Sequence, residues 1–128
     1  MIPSDRRYSK EHEWAKVEGD AVVVGITDYA QDQLGDVVYV ELPKVGDRVA
    51  QSQIFGVIES VKTASDLFSP VSGAVVEFNQ SMAGDPAQVN DSPYGDGWLI
   101  KVKPDDDATL QRELDALLDA AAYAAETA

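Results

Sequence analysis

Turn signals cut residues 14 to 103 into short strand-patterned runs, and this punctuation limits the chain to a compact β architecture. "WAKVEGDAVVVGI" (14 to 26) reads as two strands joined at Gly19-Asp20. "TDYAQDQLG" follows with an N-cap at Thr27, apolar positions at Tyr29, Ala30 and Leu34, and a stop at Gly35, which predicts a short helix near 27–34. "DVVYVELPKVGDRV" is a strand ending at Pro43 and a turn around Gly46-Asp47. "IFGVIESVKTASDLFSP" is two strands meeting near Val61-Lys62, and "GAVVEFNQ" is one more. "GWLIKVKP" closes the series, with Trp98, Ile100 and Val102 expected on one face and Leu99 and Lys101 on the other. Trp14, Trp98, Tyr39 and Phe55, aromatic at strand spacing, are expected in the core. Strands this short must pack as a small barrel or sandwich.

A faint internal repeat supports two sheets. "VVYVELPKVGD" (37 to 47) aligns with "VVEFNQSMAGD" (75 to 85), pairing Val37 with Val75, Val38 with Val76, Gly46 with Gly84 and Asp47 with Asp85. Two copies of a strand-turn unit would form two sheets around one core. After residue 106 the period changes: Leu110, Leu114, Leu117 and Leu118 recur at helical spacing behind acidic residues, predicting a helix near 107–121. The expected organisation is a flexible N-terminus over 1–7, one domain over 8–121 that includes this helix, and a tail over 122–128 that frays.

Composition narrows the function. Ten Lys and Arg against 23 Asp and Glu give a formal net charge of -13, which repels phosphate backbones and anionic membranes. The expectation is no nucleic acid and no membrane partner. The absence of cysteine removes disulfides, thiolate nucleophiles and Cys-based metal sites. One histidine, His12, does not make a zinc site, and no nucleophile–base constellation is evident, so the chain reads as something other than an enzyme. "MIPSDRRYSK" lacks the apolar stretch of a signal peptide, and a cytoplasmic monomer is expected.

Between the two copies of the repeat lies "ESVKTAS", a bend holding Lys62, the only basic residue between Arg48 and Lys101. An exposed loop tip is ordinarily polar, and a plain surface lysine is the simple reading. Yet this bend lacks the Asn-Gly or Gly-rich pair of an easy hairpin turn, and a lysine at the far point of a rigid scaffold suits a covalent arm.

Four stretches in order carry a family resemblance: "KEHEW" (10 to 14), "GITDYAQDQLGDVVYVELP" (25 to 43), "ESVKTASDLFSPVSG" (59 to 73) and "VNDSPYGDGWLIK" (89 to 101). The chain resembles the glycine cleavage system H-proteins from about Tyr8 to Tyr123. The resemblance implies a mainly β, lipoyl-type barrel-sandwich hybrid of two small antiparallel sheets. It implies that Lys62 carries lipoate in amide linkage as N6-lipoyllysine, and that Glu59 helps a lipoate ligase or a lipoyl/octanoyl transferase to recognise it. It also implies a shuttle. The carrier takes an aminomethyl group from glycine decarboxylase to aminomethyltransferase and is then reoxidised by dihydrolipoyl dehydrogenase. Glu13, Asp66 and His12 fall at motif positions that would line a cleft for the loaded arm, Glu13 and Asp66 holding its ammonium. Glu11 departs from the small hydroxyl common at its position. The plainer readings are surface acids and a structural histidine.

Biotinyl domains use a similar hairpin, but their lysine sits between methionines rather than Val61 and Thr63. A lipoyl domain of a 2-oxoacid dehydrogenase would read Asp-Lys-Ala at the bend and lack "HEW" and the C-terminal helix. An H-like protein that only relays lipoyl groups, or an interaction domain with an unmodified lysine, would share most of this pattern.

Overall fold

The computed structural model describes residues 2–127. Its strands are β1 (Arg7–Tyr8), β2 (Glu13–Glu18), β3 (Ala21–Ile26), β4 (Val37–Glu41), β5 (Arg48–Val49), β6 (Ile54–Ser60), β7 (Ala64–Phe68), β8 (Gly73–Phe78) and β9 (Ile100–Lys103). The helices are α1 (Asp28–Leu34), α2 (Gln88–Asp91), α3 (Asp107–Asp115) and α4 (Ala120–Glu126), with a 3-10 turn over Gln80–Ala83. One antiparallel sheet runs β1-β2-β3-β9-β8-β5 and the other β4-β6-β7, the two-sheet barrel-sandwich arrangement expected from the sequence.

The main core lies between the sheets. Val22, Val24, Val75, Ile100 and Val102 come from the larger sheet, and Val37, Ile58 and Leu67 from the smaller. Full burial of each such side chain stabilises by about 1.5–3 kcal/mol before entropy is counted. β3 also presents Val23 to a second cluster with Tyr8, Trp14 and Tyr123, so it is covered on both faces and reads as a continuous apolar run. Trp14 crosses Gly25 so closely that a Cβ there would lie 2.5 Å from the ring, and its indole N–H donates to the carbonyls of Ile26 and Pro93. The repeat survives in the strands. Val37 and Val75 are buried, and Val38 and Val76 face out, one pair in each sheet. Its turns diverge, because Gly46 adopts φ 97° whereas Gly84 closes the 3-10 turn at φ -100°.

Several details differ from the expectation. Tyr39 is 50% exposed, because β4 is an edge strand whose outer face nothing covers. β9 begins only at Ile100, so Leu99 is not held to the strand alternation. It joins Ile100 and Val102 in the main core, while Trp98 packs on the second cluster. The helix expected near 107–121 is divided. Leu118 pairs its backbone with Tyr8 (N–H to carbonyl 2.8 and 2.7 Å), and Asp119 then caps α4 by accepting from the Ala122 N–H. The division serves packing: Leu110, Leu114 and Leu117 lie on the main core, and Leu118 turns to the second. Within the stretch 122–128, whose last residue lies outside the described ones, α4 runs to Glu126, with Tyr123 buried and stacked on Tyr8 at 4.8 Å. Within the stretch 1–7, whose first residue lies outside the described ones, Arg6 and Arg7 make defined contacts. Arg7 is in β1, and the Arg6 guanidinium sits 4.5 Å from the centre of the Trp14 ring.

Candidate functional site: a lysine hairpin beside an acidic cleft

β6 and β7 form the hairpin with Lys62 at its tip, paired as far as Glu59 and Ala64. Ser60 supplies what a glycine-rich turn would have supplied. Its N–H donates to the Thr63 carbonyl (2.8 Å), and its Oγ accepts from the N–H groups of Lys62 and Thr63 (both 3.2 Å). The Val61 N–H donates to the Asp36 carbonyl (3.0 Å), anchoring the tip to the loop after α1. The backbone is therefore held while the Val61 side chain is 69% exposed and Lys62 faces solvent. No described residue forms a salt bridge with the Lys62 ammonium.

The lysine stem runs past Gly35, where a Cβ would lie 3.1 Å from Lys62 Cε. Gly35 also has φ 81°, so glycine is favoured twice there: to cap α1 and to let the stem pass. The sequence shows only the helix stop.

A cleft of about 390 Å³ begins at this hairpin. The Glu11–Glu13 segment forms one wall, α1 with Tyr29 and Leu34 another, and Ile58 with Thr63, Ser65 and Asp66 the hairpin side. Glu13, His12 and Asp66 are thus brought together. Asp66, on β7 opposite Val57 of β6, is exposed. Glu59 is placed elsewhere, half-buried on the hairpin flank between Tyr39 and Ala64. Another cleft, about 360 Å³ between β4 and the 3-10 turn, has Lys44 as its one charged wall residue and lies away from the hairpin.

Glu13 is 2% exposed. Ser9 Oγ donates to its Oε1 (2.6 Å) and the Phe68 N–H to its Oε2 (3.2 Å). Burial pushes the carboxyl up to about 8 against the pull of those two hydrogen bonds, with Glu11 adding a smaller upward push. At neutral pH it is predominantly the uncharged acid. His12 has φ 72°, a left-handed backbone held by its N–H to the Ser9 carbonyl and its carbonyl to the Thr27 N–H. Its Nδ1 lies 2.8 Å from Tyr123 Oη, its ring is 4.7 Å from that of Tyr29, and burial pushes its pKa down. Ser9, Tyr29, Thr27 and Tyr123 were not read as site residues. Thr27 and Tyr29 sit within the motif over 25 to 43 and Ser9 directly precedes "KEHEW", but Tyr123 is 111 residues from His12 and left no local signal.

Among the described residues no cluster of His, Asp and Glu could hold a metal ion, and no helix is long and apolar enough to cross a membrane. The family model described as "Glycine cleavage H-protein" matches residues 6–128. The glycine cleavage system H protein of Anaeromyxobacter sp. is 55% identical over 97% of this chain and 94% of its own length. That of Thermus thermophilus is 57% identical over 95% and 92%. The crystal structure of a glycine cleavage system H protein from Mycobacterium marinum superposes with a TM-score of 0.87 at 42% identity, covering 98% of both chains. With these similarities spanning the hairpin, the cleft and both sheets, the chain belongs to the glycine cleavage H-protein family.

Proposed function

We propose that this chain is the lipoyl-bearing carrier of a glycine cleavage system, with lipoate attached to Lys62 as N6-lipoyllysine. The observation that carries the reading is an exposed lysine, unpaired among the described residues, on a backbone pinned by Ser60 and Asp36, at the tip of a hairpin whose Thr63, Ser65 and Asp66 line a cleft. The cleft suits the group in size, within the roughly 300–1,000 Å³ of small-ligand sites, and in its mixture of apolar wall and polar ends. Once attached, lipoate would supply a dithiolane that takes up an aminomethyl group together with two electrons and, after the cargo has left, gives two electrons up again.

The residues of the chain present and shield that arm. Ser60 holds the hairpin so that a lipoate ligase or a lipoyl/octanoyl transferase meets Lys62 in one geometry, and Glu59 on the hairpin flank is its recognition acid. Leu34, Ile58 and Tyr29 exclude water from the cleft. Asp66 takes the cargo's ammonium directly. Glu13 lies beneath as the uncharged acid, and an ammonium nearby favours its ionised form. The expected partners are glycine decarboxylase, aminomethyltransferase and dihydrolipoyl dehydrogenase, met by a cytoplasmic monomer. The chain contributes presentation and no catalytic step of its own.

Intact mass after expression in a lipoylation-competent host tests the attachment. The parent should gain the mass of one lipoyl group and Lys62→Arg none. A lipoylated Lys62→Arg would place the arm elsewhere.

A further inference from the structure

Three buried or half-buried groups form a chain that reaches the cleft from the C-terminal helix. Thr27 Oγ1 lies 2.7 Å from Tyr123 Oη, and Tyr123 Oη lies 2.8 Å from His12 Nδ1. Proton placement follows from what each atom can do. Thr27 is fully buried, and its oxygen already accepts from the Ala30 N–H. Its hydroxyl proton has one acceptor within reach among the described residues, Tyr123 Oη. Tyr123 must then give its own proton to His12 Nδ1. A ring nitrogen that accepts carries no proton, so the hydrogen of the neutral imidazole is on Nε2. Two further facts agree: burial holds the Tyr123 phenol protonated, pushed up to about 12, and pushes the His12 pKa down. His12 Nε2 has no partner among the described residues, and the ring lines the cleft.

We propose that Thr27 and Tyr123 lock His12 as an Nε2–H donor in the arm cleft, making Tyr123 of α4 a positioning residue for the docked arm. An N–H donor has nothing to offer an ammonium. It suits a sulfur acceptor, so His12 holds the sulfur-bearing end of the arm while Asp66 holds the adjoining ammonium. This rests on the docking of the arm proposed above. It gives α4 a part in retaining cargo, beyond closing the second apolar cluster.

The first measurement uses the protein without lipoate, so it does not depend on docking. The chain has one histidine, and long-range proton–nitrogen NMR at neutral pH reads its tautomer without assignment. The expected result is the Nε2–H form in the parent and a shift towards a tautomer mixture in Tyr123→Phe. An Nδ1–H form or an imidazolium in the parent, or no change in the variant, overturns the proposal. The second measurement follows ammonia release from the purified, aminomethyl-loaded carrier without its transferase. Tyr123→Phe should release it about fivefold faster, the effect of losing one ordinary hydrogen bond. If Asp66→Asn accelerates release and Tyr123→Phe does not, the arm docks but His12 does not hold it, and the proposal fails alone. If neither variant accelerates release, the docking reading fails and takes the proposal with it.

Discussion

Glu13 joins packing to chemistry through a single carboxyl. In the unfolded chain it ionises near 4.5, and in the fold burial moves that to about 8. The folded state therefore binds a proton that the unfolded state has released between these values, and stability falls as pH rises through them. The contribution is fully present below about pH 4.5 and lost above about pH 8. Glu13→Gln retains an acceptor for the Phe68 N–H and presents its NH2 as a donor to Ser9 Oγ, and it cannot ionise. Thermal unfolding of parent and variant should coincide near pH 4.5. The parent should then fall behind by an amount on the order of a few kcal/mol as pH is raised to 8.5. A constant difference across that range would mean that Glu13 is ionised in the empty cleft. The position of Glu13 as a candidate was legible in "KEHEW". Its burial was not, because the groups that enclose it include Phe68, 55 residues away.

At the scale of elements, the hairpins were legible wherever alternation met a turn pair. Gly19-Asp20 joins β2 to β3 with Gly19 at φ 63°, and α1 is bounded by the Thr27 hydroxyl at its start and by Gly35 at φ 81° at its end. The division of the C-terminal helix was not legible. Leu114, Leu117 and Leu118 make one stripe on an unbroken helix, and only the presence of β1 draws Leu118 into a backbone bridge. The same contact turns α4 back onto Tyr8 and delivers Tyr123 to the second cluster. A chain ending at Leu118 would lose the Tyr8–Tyr123 stack and leave Thr27 Oγ1 and His12 Nδ1 without their partner. The expected cost is about 3–4 kcal/mol, read as a drop of roughly 10 °C in thermal unfolding. Unfolding within a degree or two of the parent would show that α4 rests on the domain without supporting it.

Over the whole molecule, two small sheets share one core, and the candidate cleft lies where the smaller sheet meets α1. The β6–β7 hairpin joins the two copies of the strand-turn repeat, which is why the lysine motif was visible before any coordinates. The cleft beside it is assembled from segments starting at residues 11, 26, 58 and 63, so its shape waited for the fold. The net charge of -13 repels phosphate backbones and so disfavours contact with nucleic acid. The central claim is that Lys62 is the one point at which lipoate is attached. Its most direct test is glycine decarboxylation in a reconstituted system of decarboxylase, aminomethyltransferase and dihydrolipoyl dehydrogenase, with lipoylation-competent parent beside Lys62→Arg. Arginine keeps the charge and the hairpin but cannot form the amide that tethers lipoate. The account predicts carrier-dependent turnover with the parent and none above background with Lys62→Arg, both proteins unfolding at the same temperature. Equal turnover from the two would contradict it.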